Sequence, residues 1–169
     1  MEHASIIHEL ARNKEVFAQL LSHKSEKAYR WKPTVYKWCL LEIICHLLDE
    51  EQEDFRSRIQ HLFDHPNTLP PPFDPKVWVT ERKYMEQNYE EKLQSFLKER
   101  AASLQWLKSL ENPAWDNAYQ LPEIGERTAR HFLVNWLAHD YLHIRQIVRT
   151  NYQYLQNNSQ NTLDYAGKW

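Results

Sequence analysis

Two histidines one helical turn apart, His139 and His143, are the side chains of this chain most able to do chemistry. Four residues of separation stacks two imidazoles on one face of a helix, close enough to ligate a single ion. With Phe132 at zero on a wheel of about 100° per residue, Trp136 falls at about 40°, His139 at about 340° and His143 at about 20°. Both rings therefore continue an apolar stripe, and Gln146, at about 320°, lies beside them. Spacing alone leaves two readings open, because nine histidines scattered over 169 positions would give roughly 0.4 such pairs by chance. One is metal ligation; the other is a pair of hydrogen-bonded core histidines. The chain carries a second such pair, His61 and His65. There the helix should already be ending before Pro66, so that pair reads as exposed.

A third ligand has to come from another element, and His46 is the one other histidine deep inside a long helical pattern. On the wheel it falls with Glu42, Asp49 and Glu53 and borders the apolar stripe of Leu41, Ile44 and Leu48. Taken alone, such a position fits a solvated surface histidine as well as a ligand. A ligating imidazole also needs its second nitrogen held, and Asp49 or Glu42, one turn away, could supply the carboxylate. Glu53 and Asp140 are further carboxylates close in sequence, each readable as a supporting or a surface group.

Helices must position these residues. The chain has 2 Gly and 8 Pro, and the prolines fall largely outside the periodic stretches, which favours long helices over tight β-turns. Apolar residues at three- and four-residue steps predict helices over about residues 3 to 22, from about 34–38 to 63, about 80 to 110 and about 128 to 152, with Thr128 as an N-cap. The run Leu69-Pro70-Pro71-Pro72-Phe73-Asp74-Pro75 reads as an extended surface crossing long enough to reach the far end of a bundle. A second connector spans residues 114–127. Trp31, Trp78, Trp115 and Trp169 lie in or near connectors or the tail, where they would cover the ends of the bundle. The expected fold class is all-α: one four-helix bundle domain with long connectors, over residues 1–169.

The bulk chemistry removes several function classes. With 21 Lys and Arg against 23 Asp and Glu the net charge is −2, and no dense basic block offers a nucleic-acid footprint. The amino terminus has no uninterrupted apolar run, so it reads as neither a signal peptide nor a membrane span, and the cytoplasm is the expected location. Cys39 and Cys45 would sit about 9 Å apart along one helix, too far for a disulfide, and read as packing thiols. A ferritin-like di-iron site needs two Glu-x-x-His motifs, and none is present; Asp140 before His143 is the one carboxylate at that spacing.

Two segments together resemble the DinB-like (YfiT-like) family of four-helix-bundle proteins, over nearly the whole chain. The first is Trp38-Cys39-Leu40-Leu41-Glu42-Ile43-Ile44-Cys45-His46-Leu47-Leu48-Asp49; the second comprises Gly125, Thr128, His139-Asp140-Tyr141-Leu142-His143 and Gln146. The resemblance implies a metal site made by His46, His139 and His143, usually holding zinc or nickel and sometimes iron. Three neutral imidazoles leave such an ion its charge and an open position, which is a catalytic pattern. Ligand type alone does not choose among these metals.

The family likeness further implies an enzyme using a low-molecular-weight thiol of the bacillithiol or mycothiol type, whose sulfur an ion would activate towards an electrophilic carbon. A metal-dependent hydrolase would use the same three residues. The expected partners are a small-molecule substrate and a second copy of the chain in a homodimer. The alternative is a non-catalytic, stress-associated bundle that binds metal or a ligand.

Overall fold

The structure, a computed structural model, describes residues 2–72, 74–121 and 125–167. Its helices are α1 (His3–Leu21), α2 (Glu26–Tyr29), α3 (Leu40–Glu53), α4 (Phe55–Asp64), α5 (Pro75–Glu81), α6 (Tyr89–Ser109) and α7 (Ala129–Asn158). A hairpin of β1 (Ala118–Leu121) and β2 (Gly125–Thr128) precedes α7. The four columns of the bundle are α1, the α3–α4 pair, α6 and α7. Each of α1 and α3 packs against α6, and α7 closes the other side by lying along α1 and α4. No helix among the described residues is long and apolar enough to cross a membrane.

Two apolar clusters fill the interior. Phe17, Leu41, Ile44, Leu48, Phe96 and Ile147 belong to one; Leu10, Phe55, Leu104, Leu133, Trp136 and Leu137 belong to the other. The first cluster takes the C-terminal halves of α1 and α7 but the N-terminal ends of α3 and α6. α1 and α7 therefore run one way, and α3–α4 and α6 the other. Joining two parallel neighbours requires a chain that returns the full length of the bundle, and the proline-rich segment before α6 does this, as its composition predicts.

Element boundaries correct the sequence reading in four places. The second column begins at Leu40 and is interrupted at Asp54, whose φ/ψ of −109°/−93° leaves the helical region. The third begins at Tyr89, not near residue 80. Asn88 caps it by accepting a hydrogen bond from the Glu91 N–H at 3.1 Å, and the preceding turn places Lys83 in the left-handed region. What looked like its first turns is the separate α5, opened by Pro75, a residue whose fixed φ suits a first helical position. The connector of residues 114–127 holds the hairpin, where Gly125 adopts φ +75°. Thr128 caps α7 as expected, accepting from the His131 N–H at 3.0 Å, and the helix continues to Asn158. Trp78 and Trp115 are buried; Phe73, Pro122 and Trp169 lie outside the described residues.

Between the two apolar clusters lies one buried polar layer with a member from every column. Asn13 on α1 falls between Leu10 and Phe17, Glu51 between Leu48 and Phe55, Arg100 between Phe96 and Leu104, and Asp140 between Leu137 and Ile147. The Arg100 guanidinium donates to both oxygens of Asp140 at 2.7 and 2.8 Å and to Glu51 at 2.9 Å. Asn13 adds a bond to Asp140 at 3.2 Å, and the Trp136 indole N–H donates to Glu51 at 3.1 Å. Burying charge is costly unless each partner is paired and hydrogen-bonded, and here each is.

Candidate metal centre

Local geometry first decides which histidines can meet. α3 is the most enclosed helix: every residue from Leu40 to Glu51 is buried, charged ones included. His46 is thus 6 % exposed, not the solvated border residue its wheel position suggested. On α7 the reverse holds. The buried stripe runs through Leu133, Trp136, Leu137, Asp140, His143 and Ile147, so Asp140 occupies its centre and His139 sits half-buried at its edge. The site consequently forms at the seam between α3 and α7.

At that seam three Nε2 atoms converge. The Nε2 of His139 lies 3.3 Å from that of His46 and 3.1 Å from that of His143. The three candidate donor atoms all fall within 4.8 Å of one another. A neutral imidazole nitrogen has one proton or one lone pair, so hydrogen bonding at His139 Nε2 cannot serve both neighbours well. A cation can engage all three lone pairs. Ions with metal–nitrogen bonds of about 2.1 Å set neighbouring ligand nitrogens about 3.0 to 3.4 Å apart, depending on geometry, and the two separations from His139 fall in that range. The buried Nδ1 atoms of His46 and His143 have no hydrogen-bond partner within the protein, whereas a ligating imidazole ordinarily donates its second ring N–H. The donor set fits a divalent ion of the zinc, nickel or iron type.

The surroundings hold the rings neutral. Burial, with the nearby His143, lowers His46 to about 3. Burial lowers His139 to about 2, helped by His143, His46 and the Arg100 charge. His143 falls to about 4 through burial, opposed by Gln146 and Asp140. In the unfolded chain each ring protonates near 6.5. Above that pH neither state takes up these protons; below it the unfolded chain alone does, so stability falls as pH is lowered towards the folded values. Between pH 7 and 5 this costs about 2 kcal/mol per ring. Glu50 acts in the opposite direction: burial and Asp54 raise its carboxyl to about 8, so the folded state takes up this proton first and gains stability on the same acidification. Metal-free protein is therefore expected to lose unfolding free energy from pH 7 to 5, three depressed rings outweighing one raised carboxyl. Urea titrations at the two pH values measure it, and an unchanged midpoint contradicts neutral, buried rings.

The supporting residues differ from those the sequence offered. Glu42 serves its own helix, accepting from the Cys39 N–H at 2.9 Å and pairing with Lys32 at 2.7 Å. Asp49 accepts from the Tyr84 hydroxyl and pairs with Arg82 at 2.9 Å. Glu53 is exposed and bound to the same arginine. Asp140 belongs to the central polar layer. None of the four reaches a histidine ring nitrogen. The carboxylate beside His46 is Glu50, whose Oε1 lies 3.8 Å from Nδ1; the i, i+4 spacing from 46 to 50 was its signal in the sequence. Gln146 stays beside His143 on α7. The Trp38 ring packs 4.9 Å from His46, and Phe55 packs 5.2 Å from His139. The irregular residue at Asp54 precedes Phe55 and starts the helix that carries it. His61, by contrast, bonds the Thr68 carbonyl at 3.0 Å, and His65 is exposed. Both cysteines are free and buried.

Two clefts flank the rings and share Leu142 as a wall. One, of about 320 Å³, opens against His139 and is lined by Phe55, Phe132 and Arg58. The other, of about 770 Å³, opens against His143 and Trp38.

YfiT from Bacillus subtilis, described as a probable metal-dependent hydrolase with an unusual four-helix bundle topology, has a solved structure that superposes with a TM-score of 0.79 at 14 % identity. The alignment covers 90 % of this chain and 87 % of that one, and it shows a shared fold. No curated protein matches the sequence. The family model of the DinB superfamily matches residues 9–147, a span that contains His46, His139 and His143. The chain belongs to the DinB superfamily.

Proposed function

We propose that this protein is a metal-dependent enzyme that joins a small thiol to an electrophilic carbon, with His46, His139 and His143 holding one divalent ion, zinc or nickel. The observation that carries this reading is the pair of clefts that share Leu142 as a wall, an aromatic one lined by His139 and a polar one lined by His143. A reaction between two substrates needs two approaches to one centre, and hydrolysis of a single substrate needs one. An ion held there supplies positive charge that lowers the pKa of a thiol brought against it. The protein's own contribution is to keep three imidazoles neutral and aimed, to place Trp38 against His46 and Phe55 against His139, and to offer the electrophile an aromatic wall. In the net reaction a sulfur–carbon bond forms, the carbon's bond to its leaving group breaks, the thiol proton passes to solvent and the leaving group departs with the electron pair.

The test loads the protein with zinc or with nickel and supplies a small thiol together with 1-chloro-2,4-dinitrobenzene. Thioether formation faster than with metal-free protein is expected. A protein that retains stoichiometric metal yet never accelerates thioether formation, with this or other electrophiles, overturns the transferase reading. The description of YfiT as a hydrolase favours hydrolysis as the second reading. Metal-dependent turnover of p-nitrophenyl esters in the absence of thiol would select it.

A further inference from the structure

Ten arginines occur in the chain, and eight are engaged. Arg12, Arg30, Arg56, Arg58, Arg82, Arg100 and Arg130 each hold a carboxylate, and Arg127 donates to a backbone carbonyl. Arg145 and Arg149 are the two without an acceptor among the described residues, and they line the same cleft, the one beside His143. Lys37, reaching in from the segment before α3, lines it too and is likewise unpaired through its side chain. Among the described residues no Asp or Glu lines this cleft, although acidic residues outnumber basic ones in the chain. Three uncompensated cations at one cavity wall form an attractive field for an anion, and two arginines one turn apart can grip an oxyanion through paired N–H donors. At about 770 Å³ the cleft is of a size to enclose a small molecule.

We propose that Arg145, Arg149 and Lys37 form the subsite for the anionic end of a small-molecule reactant, an oxyanion group of carboxylate or phosphate type, whose reactive end then lies against His143 and Trp38. This rests on the reading of the three histidines as the reaction centre and assigns the polar cleft to the charged reactant and the aromatic cleft to its uncharged partner.

Calorimetric titration of the zinc-loaded 169-residue chain tests it, using succinate, inorganic phosphate and the neutral analogue succinamide as probes. Saturable binding is expected for at least one of the two anions, and the preferred one separates a carboxylate ligand from a phosphate; succinamide should not bind. The double variant Arg145→Ala/Arg149→Ala should weaken anion binding by at least about tenfold. Lys108→Ala, an exposed cation on α6, should change nothing. Because both arginines are solvent-exposed, folding of the variant is checked by its thermal transition, and Arg149→Gln alone gives a milder second variant with a smaller loss. Failure of both anions to bind, or equal binding by wild type and the double variant, overturns the proposal.

A second arm separates this subsite from the thiol reading. In cobalt-substituted protein, mercaptosuccinate should perturb the metal spectrum at a concentration at least about tenfold lower than 2-mercaptoethanol does, and the double variant should abolish that preference while leaving 2-mercaptoethanol unaffected. If the anions bind through the arginines while neither thiol alters the spectrum, the subsite stands and the thiol reading falls. If both thiols act equally and the anions do not bind, the thiol reading stands and the subsite falls.

Discussion

Alanine at position 139 is expected to reduce bound metal from about one ion per chain to a trace, with a loss of affinity of about 10² to 10³-fold. The His139 Nε2 is the atom common to both short contacts, 3.3 Å from His46 and 3.1 Å from His143, so its removal leaves two rings without a shared centre. Structural zinc sites with four ligands bind with about 10 to 16 kcal/mol, or about 2.5 to 4 kcal/mol per ligand, which corresponds to that fold-change. Equilibrium dialysis against a competing chelator measures it. His61→Ala serves as the control: His61 also has a histidine four residues on, but it bonds the Thr68 carbonyl, and its loss should leave metal content unchanged. Retention of metal by the His139 variant would remove the basis of the proposed activity. Loss in the control as well would locate the metal elsewhere. Stability should not fall in parallel, since the metal-free variant no longer buries a ring that resists protonation; below pH 6 it should unfold at higher urea than metal-free wild type.

Arg100→Leu should cost about 3 to 5 kcal/mol of folding free energy. Arg100 is 1 % exposed and, among the described residues, is the one cation paired with Glu51 and Asp140, both essentially inaccessible. Without it two carboxylates remain in the interior with one indole and one amide donor between them. Breaking a buried pair from one side leaves an uncompensated charge, whereas replacing the whole group by apolar residues removes the penalty. The triple variant Arg100→Leu/Glu51→Leu/Asp140→Leu is therefore expected to recover most of the loss. Chemical denaturation of the single and triple variants measures both. Equal destabilisation in the two would show that the layer acts by packing and not by charge. The layer also touches the site, because the Arg100 charge helps depress His139, and Asp140 is the next residue along α7.

Helical periodicity was enough to read the four columns, the proline-rich return and the Thr128 cap, because each depends on local spacing or on one residue's backbone preference. The breaks within those columns were not readable. Asp54 and Lys83 carry no Pro or Gly to announce an interruption, and the residues following Asp54 keep an apolar rhythm that also suits an unbroken helix.

The sequence by itself determined which three imidazoles could meet, since two lie a turn apart on one helix and the third stands in a family-like context on another. Only the tertiary structure decided how far each is buried and what supports it. A wheel assigns a helix one wet face and one dry face, but α3 is enclosed on every side, so its charged residues had to find partners within the protein. Glu42, Asp49 and Glu51 took Lys32, Arg82 and Arg100, leaving Glu50 beside His46. Such pairings join residues many positions apart, and they follow from which helices become neighbours, which no local spacing encodes.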